Sequence, residues 1–269
     1  MEHGFAASEI DTSRAHPARM YNAYLGGKDN YATDREAVRR VLQTGPAVRD
    51  TARANRAFLQ RAVRFLAGEA GIRQFIDIGT GIPAAGNVHE VAAQAAAGTR
   101  VVYVDNDPIV HVHANALLTG SGTTRIVLAD LREPRAILRH PKVGELIDFS
   151  KPVALLLAAI VHFLTDDENP ADILGVLRDA LPAGSFLVLS HGTADFRTEA
   201  AQQAAAVYDQ ATSTMTLRSH AQIEAFFDGW KLIEPGLVQM PLWRPYSRPA
   251  RPKDLSQIWG YGGVGRRNT

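Results

Sequence analysis

The first 70 residues contain one long amphipathic stretch. Between residues 47 and 67, apolar side chains such as Val48, Leu59, Val63 and Leu66 recur every three or four positions, and most of the arginines fall elsewhere. This spacing predicts a helix with a single buried stripe.

After Gly71 the pattern changes to short apolar runs that alternate with amphipathic stretches. The apolar runs predict strands, and the continuous run near residue 155 is typical of a central parallel strand. We predict strands at 73–78, 100–104, 124–128, 153–158 and 185–190, helices at 87–97, 108–118, 169–181, 197–210 and 220–227, and two late strands, one at 231–233 with 237–240 and one at 257–261. This order predicts an α/β fold with a parallel sheet and helices on both faces.

A polar segment precedes the long helix. Residues 13–34 combine Arg, Tyr and Asn with the pair Gly26-Gly27, a mixture that forms a poor core and suits a segment lying over a site. The first dozen residues indicate loose order. We therefore divide the chain into an N-terminal helical cover, 1–70, and a sheet domain, 71–269.

Composition excludes several kinds of site. The chain has 269 residues, of which 46% are hydrophobic and 21% charged, with a formal net charge of +1 and no cysteine. Disulfides, thiolate metal sites and cysteine nucleophiles are therefore excluded. The longest apolar run, 153–161, is about half of the ~20 residues that a membrane span requires. The N-terminal residues show no signal-peptide pattern, so we expect a cytoplasmic protein without a membrane segment.

Two polar groups of residues carry weaker signals. A mildly basic C-terminal segment contains Arg244, Arg248, Arg251, Lys253, Arg266 and Arg267. Its proline spacing favours a wrapped loop, and no aromatic-basic motif accompanies it, so we expect no nucleic-acid partner. His111 and His113 are two positions apart on a predicted helix and face different ways, so we expect no metal site.

The strongest motif follows the first predicted strand, where Asp77 precedes the turn Gly79-Thr80-Gly81. Glycines allow a tight turn and a close approach of the backbone to a ligand. The spacing also fits the dinucleotide pattern G-x-G-x-x-G/A, so a nicotinamide cofactor stays an alternative. Asp77 would repel a pyrophosphate, however, and Pro83 removes a backbone donor near the helix start. An ammonium and a sulfonium would instead be attracted, which favours S-adenosylmethionine.

Two further strands end in acidic residues, Asp105 and Asp130. Ligands of such sheets bind outside the carboxyl ends of the strands, so the three carboxylates are predicted to face one site. Asp105 is suited to accept hydrogen bonds from ribose hydroxyls. Asp130 is suited to accept from the amine of adenine, with Leu131 packing on the ring.

Histidines follow the fourth and fifth strands. His162 and His191 are candidate general bases, because imidazole titrates near neutral pH. In the cover, Arg19 or Lys28 is suited to bind a carboxylate.

Three segments carry a family resemblance: ARMYNAYLGGKDNY (18–31) with Asp34-Arg35, FIDIGTGIP (75–83) and YVDNDP (103–108), with further similarity in ADLREP (129–134) and WGYGGVG (259–265). They resemble the actinobacterial S-adenosylmethionine-dependent methyltransferase family once described as a domain of unknown function, within the class I methyltransferases. The similarity covers nearly the whole chain. Pro83 stands where many class I members carry a third glycine, and this family itself uses proline there.

The resemblance implies a Rossmann-like class I methyltransferase sheet, mostly parallel with an antiparallel last strand, under an N-terminal helical cover. The implied cofactor is S-adenosylmethionine, with S-adenosylhomocysteine as product. The predicted cofactor-binding residues are Asp77, Gly79, Thr80, Gly81, Asp105, Asn106, Asp130, Leu131, Ala158, Arg19 and Tyr21. The predicted cover residues near the acceptor are Asn22, Tyr24, Gly26 and Lys28.

The predicted function is methyl transfer to a small-molecule acceptor, which the resemblance does not identify. Two alternatives stay open from the sequence. One is an NAD(P)-dependent oxidoreductase on a similar sheet. The other is a protein that binds S-adenosylmethionine or its product without catalysis.

Overall fold

The computed structural model describes residues 11–118, 122–245 and 255–268. The expected loose order of the first dozen residues falls almost wholly outside the described residues. Of the basic C-terminal segment, Arg248, Arg251 and Lys253 also lie outside them.

The described residues form α-helices and strands that alternate as the sequence predicts, with two differences. Two further helices lie between the third and fourth strands, and the late strand predicted at 231–233 with 237–240 is two separate short strands. The α-helices are α1 (Pro17–Tyr24), α2 (Ala32–Thr44), α3 (Val48–Gly68), α4 (Val88–Ala95), α5 (Pro108–Leu118), α6 (Pro134–Arg139), α7 (Pro141–Leu146), α8 (Pro170–Asp179), α9 (Thr198–Ala206) and α10 (His220–Glu224). The strands are β1 (Gln74–Ile78), β2 (Arg100–Asp105), β3 (Thr124–Leu128), β4 (Ala154–Ala158), β5 (Phe186–Gly192), β6 (Lys231–Leu232), β7 (Val238–Gln239) and β8 (Gly260–Arg266).

The strands form one sheet in the order β3-β2-β1-β4-β5-β8-β6, with β7 also paired to β8. Strands β1 to β5 run parallel to one another. Strand β8 runs antiparallel to β5, with Val264 opposite Val188. The predicted mostly parallel sheet with an antiparallel last strand is therefore confirmed.

The position of the last strand differs from the sequence prediction, which placed this strand at 257–261. Strand β8 is instead the glycine-rich run Gly260–Arg266, although glycine is depleted in strands. Glycine is needed in this strand because other side chains pack closely against both of its faces. A Cβ on Gly262 would lie 2.9 Å from the ring of Phe58, and one on Gly265 would lie 2.7 Å from Cβ of Trp230.

The long helix α3 packs directly on the sheet. Its residues Phe58, Val63 and Leu66 share a buried core with Phe75 of β1 and Val188 of β5. A separate apolar cluster joins α1, α2 and α9 above the carboxyl end of the sheet. This packing makes α3 part of the core of the sheet domain, while α1 and α2 lie over it. The division of the chain at residue 70 remains a prediction.

Among the helices that the structure describes, none combines the length and apolar character needed to cross a membrane. Within the same residues, His, Asp and Glu side chains form no group of three or more arranged to hold a metal ion.

Candidate active site

A cavity lies at the carboxyl ends of the parallel strands, beneath α1 and α9 and beside α3. Sequence-predicted site residues line much of it. They are Tyr21, Tyr24, Asp77, Gly79, Thr80, Gly81, Asp105, Asn106, Asp130, Leu131, Ala158, His162 and His191. The structure thus brings together three strand-end carboxylates, the glycine turn and both histidines.

The glycine turn after β1 is held against β2. The backbone N–H groups of Gly79 and Thr80 donate to the carbonyl of Val104 at 2.8 and 3.2 Å. Gly79 and Gly81 have φ angles of +73° and +68°, which glycine adopts without the steric cost of a side chain. A Cβ on Gly79 would also overlap Ile160, whereas nothing lies within 4 Å of the corresponding position at Gly81. The turn therefore leaves open space at Gly81.

Asp77 is buried at the end of β1 and accepts a hydrogen bond from the Thr80 hydroxyl at 3.1 Å. Burial raises the pKa of Asp77 to about 6, and the Thr80 hydrogen bond and the charge of Arg56 offset only part of that rise. The protein alone therefore gives this carboxylate less stabilisation than water would.

Asp105 is buried at the end of β2 and accepts from two backbone N–H groups, those of Gly81 at 2.8 Å and Asp107 at 3.0 Å. Burial nevertheless raises the pKa of Asp105 to about 7. Each carboxylate oxygen accepts one of these bonds, which leaves further acceptor capacity toward the cavity.

Asp130 follows β3 and accepts from the side-chain amide of Asn106 at 2.9 Å and from the Arg132 backbone N–H at 2.9 Å. Partial burial acts to raise the pKa of Asp130, but these hydrogen bonds and the charge of Arg132 lower it on balance. Leu131 is buried beside it. Asp130 is therefore an ionised acceptor at the far end of the cavity.

Sequence reasoning missed many of the lining residues, among them Asn55 and Arg56 on α3. Arg56 donates to the carbonyl of Ala84 at 3.0 Å and to the side chain of Asn87 at 3.1 Å, while its buried Nε has no hydrogen-bond partner. The helical pattern placed Arg56 among arginines outside the buried stripe. Only the tertiary fold brings it beside Asp77.

A chain of hydrogen bonds links the cover to the sheet. The Tyr21 hydroxyl donates to the Ala52 carbonyl at 3.0 Å and accepts from the Asn55 amide at 2.9 Å. The Ser190 hydroxyl donates to Asn55 at 2.5 Å and accepts from the Ala159 N–H at 2.9 Å. Ala159, at the end of β4, has a φ angle of +57°, a conformation that costs a residue with a Cβ some free energy. The chain thus fixes the backbone of the cavity floor.

Both predicted bases, His162 and His191, are buried, and burial lowers the pKa of each imidazole. The charge of Arg218 lowers both pKa values further, and His191 also lowers the pKa of His162. His191, whose pKa falls to about 3, binds the Gly192 carbonyl through Nδ1 at 2.7 Å and the Arg218 guanidinium through Nε2 at 3.1 Å. Both ring nitrogens are thereby engaged within the protein, and a role of His191 as a base stays a prediction.

His162 lines the cavity and contacts the backbone of Gly192. Its Nδ1 accepts from the Gly192 N–H at 3.3 Å, so the neutral ring carries its proton on Nε2. In this tautomer, the lone pair that a base would use is already engaged by the backbone. The contacts of His162 favour a hydrogen-bond donor toward the cavity, and its role as a base stays an untested prediction.

Four predicted residues do not line the cavity: Arg19, Asn22, Gly26 and Lys28. Lys28 and Gly26 are exposed, and Asn22 is buried and accepts from the Asn30 amide at 2.8 Å. These contacts give no support to a ligand-binding role.

Arg19 is a buried ion-pair residue. It is only 2% exposed, and its Nε lies 3.4 Å from Asp107 and 3.7 Å from Asp34. His16 also contacts Asp107, through Nδ1 at 3.1 Å. Arg19 thus binds carboxylates of the protein, which ties α1 to α2 and to the start of α5. A role of Arg19 toward a ligand stays a prediction.

The fold agrees with that of class I methyltransferases. The N-methyltransferase NodS from Bradyrhizobium japonicum WM9, solved in complex with S-adenosyl-L-homocysteine, aligns with a TM-score of 0.51 at 12% identity, covering 93% of this chain and all of that one. At this identity the similarity concerns the fold alone.

Two solved structures are much more similar. A DUF574 family protein from Streptomyces avermitilis MA-4680 has a TM-score of 0.92 at 44% identity, covering 96% of this chain and 99% of that one. A putative methyltransferase from Thermobifida fusca YX has a TM-score of 0.92 at 39% identity, covering 99% and 100%. The comparison with curated proteins found no match.

The sequence profile of the S-adenosyl methyltransferase family matches residues 3–268. The chain belongs to this family, and the resemblance noted in the sequence is confirmed. The cofactor of the family is S-adenosylmethionine, and the oxidoreductase alternative is not favoured.

Proposed function

We propose that the protein transfers the methyl group of S-adenosylmethionine to a small-molecule acceptor bound in the same cavity. The observation that carries the proposal is the convergence of Asp77, Asp105 and Asp130 with the glycine turn in one cavity. A sheet with this arrangement binds its ligand at the carboxyl ends of the strands.

The residues present fit this cofactor. Asp77 and Asp105 are buried carboxyl groups whose pKa values are raised to about 6 and 7, so the hydrogen bonds and charges that the protein supplies do not fully offset their burial. A ligand that brings an ammonium, a sulfonium and two ribose hydroxyls supplies further partners. The open space at Gly81 allows that ligand to approach the backbone.

We assign the cofactor roles along the cavity. Asp77 accepts from the methionine amine, and Asp105 accepts from the ribose hydroxyls. Asp130 accepts from the adenine amine while Leu131 packs on the ring. Arg56 replaces Arg19 and Lys28 as the proposed partner of the methionine carboxylate, because it lines the cavity and its buried Nε has no hydrogen-bond partner.

The cofactor supplies an electrophilic methyl group, so the protein has chiefly to align the acceptor and exclude water. The helices α1 and α9 contribute to the walls of the cavity and pack together in one apolar cluster. His162 orients the acceptor by donating a hydrogen bond from Nε2. The Ser190 and Asn55 hydrogen bonds hold the nearby backbone of Ala159 in place.

Calorimetric titration with S-adenosylmethionine and S-adenosylhomocysteine tests the proposal. Replacing Asp105 with Ala removes hydrogen bonds to a charged group, each of which contributes about 1.5–3 kcal/mol. We expect the Asp105→Ala variant to bind both ligands about 100-fold more weakly or worse, because two such bonds are lost. The matched control is Asp179→Ala, on the exposed side of α8, which should bind normally.

Folded protein that binds neither ligand would contradict the proposal. Incubation with labelled S-adenosylmethionine and a fractionated cell extract then separates an enzyme from a non-catalytic binding protein. An enzyme yields S-adenosylhomocysteine and a labelled small molecule in equal amounts.

A further inference from the structure

The cavity is divided by charge along the edge of the sheet. Within the described residues, its charged side chains follow β1, β2 and β3 or lie on α3 beside them: Arg56, Asp77, Asp105, Asp130 and Arg132. The lining residues at the ends of β4, β5 and the start of β8 carry no carboxylate, ammonium or guanidinium group. The charged half is the proposed cofactor end, which leaves the other half for the acceptor.

The titratable groups in the second half are neutral at physiological pH. His162 and His191 have lowered pKa values because both are buried. The hydroxyls of Tyr24 and Tyr208 lie 3.1 Å apart, and burial raises the pKa of both groups, that of Tyr208 to about 12. The Arg218 guanidinium lies behind His191, is paired with Asp166 and is not among the lining residues. The lining of this half therefore offers no opposite charge to an ionised ligand.

The walls of this half are aromatic and apolar. Tyr24, Phe163, Tyr208 and Trp259 line it, and the rings of Phe163 and Tyr208 are 5.7 Å apart. The α9 helix contributes only the small side chains of Ala201, Ala204 and Ala205 to the lining. Flat apolar rings gain both area burial and ring-ring contact in such surroundings.

We infer that the methyl acceptor is an uncharged, mainly apolar ring compound with a nucleophilic oxygen or nitrogen placed beside His162. This inference rests on the proposed function. The C–S bond of the sulfonium breaks as the new bond to the acceptor atom forms. S-adenosylhomocysteine leaves, and the proton lost by the acceptor passes to water. An ionised acceptor would lose its hydration in this half without gaining a partner, which is strongly unfavourable.

Three naphthalene compounds with the same ring system test the inference. They are 2-naphthol, which is neutral at pH 7, 2-naphthoate, an anion, and 2-naphthylmethylamine, a cation. Each is titrated into the protein saturated with S-adenosylhomocysteine. We expect 2-naphthol to bind at least about tenfold more tightly than either ion, a difference of about 1.4 kcal/mol.

The Met215→Glu variant is expected to show the opposite preference among the three naphthalene compounds. The terminal methyl of Met215 lies near Gly192, whose backbone also contacts His162, so the new carboxylate enters the uncharged half. We expect this variant to prefer 2-naphthylmethylamine over 2-naphthol. The matched control, Thr214→Glu, adds the same charge one residue away at an exposed position that does not line the cavity, and should keep the original preference.

The outcomes separate the two proposals. Failure of S-adenosylhomocysteine to bind overturns the proposed function. Normal binding of S-adenosylhomocysteine with equal or tighter binding of an ionised naphthalene, or with no binding of any of the three, overturns only the inference about the acceptor.

Discussion

At the level of single residues, the ionised carboxylate of Asp77 is less stable in the ligand-free folded protein than it is in water. Its pKa rises from 3.8 to about 6 through burial. A carboxyl group with a raised folded-state pKa binds protons more readily in the folded chain than in the unfolded chain. Its contribution therefore destabilises the fold above about pH 6 and disappears as the pH falls toward 4.

The Asp77→Asn variant should therefore be more stable than the wild type in the absence of ligand at pH 8. The amide keeps the acceptor for the Thr80 hydroxyl and removes the buried charge. Thermal melts should show a higher Tm for the variant at pH 8 and a shrinking difference as the pH drops from 6 to 4. The same variant should bind S-adenosylmethionine more weakly at pH 8. A Tm difference that does not depend on pH would contradict the assigned cost of the Asp77 charge.

Arg56 can be tested with a pair of ligands. Arg56→Met removes the proposed partner of the methionine carboxylate. We expect at least about tenfold weaker binding of S-adenosylmethionine, since a charged hydrogen bond contributes about 1.5–3 kcal/mol. Binding of 5′-methylthioadenosine, which lacks the amino-acid part, should change little. Equal weakening of both ligands would show that Arg56 acts only through its hydrogen bonds to Ala84 and Asn87.

At the level of elements, the anchoring of α1 depends on a buried ion cluster. Arg19→Met leaves Asp34 and Asp107 buried without their cation, and breaking such a pair costs about 3–5 kcal/mol. We expect a clear drop in the free energy of unfolding, measured in urea. Arg39→Met is the matched control, because its partner Glu36 is exposed on α2 and surface pairs contribute about 0–1 kcal/mol. Similar losses in the two variants would contradict the anchoring role of Arg19.

The elements also show what could be read from the sequence. Strands β1 to β5 were predicted to within a residue or two, because continuous apolar runs between turn residues mark buried parallel strands. Strand β8 was misplaced because its glycines satisfy a packing constraint imposed by Phe58 and Trp230, which are distant in the sequence.

The candidate site divides in the same way. The acidic residues at the strand ends can be recognised from the local sequence, because each directly follows an apolar run. Arg56 and Asn55 carry no local signal, because a polar residue on an amphipathic helix usually faces solvent. The burial of Arg19 also could not be predicted from the local sequence, because its carboxylate partners lie on α2 and at the start of α5.

At the level of the whole molecule, the cover and the sheet are expected to unfold together. Helix α3 shares its core with the sheet, and the Tyr21–Asn55–Ser190 hydrogen bonds join α1 to both. Near-ultraviolet and far-ultraviolet circular dichroism should therefore give coincident melting curves. S-adenosylhomocysteine at 100 times its Kd should stabilise the fold by about 2.7 kcal/mol and shift both curves equally. A separate early transition would show that α1 and α2 detach first.

The division of the cavity between two sets of strands has an evolutionary consequence. Substitutions on α9 and after β5 alter the uncharged half, and these elements contribute none of the carboxylates proposed to hold the cofactor. Under the proposed function, selection can therefore change the methyl acceptor while the affinity for the methyl donor is inherited unchanged. Libraries restricted to the lining alanines of α9 and to Met215 would exploit the same separation in the laboratory.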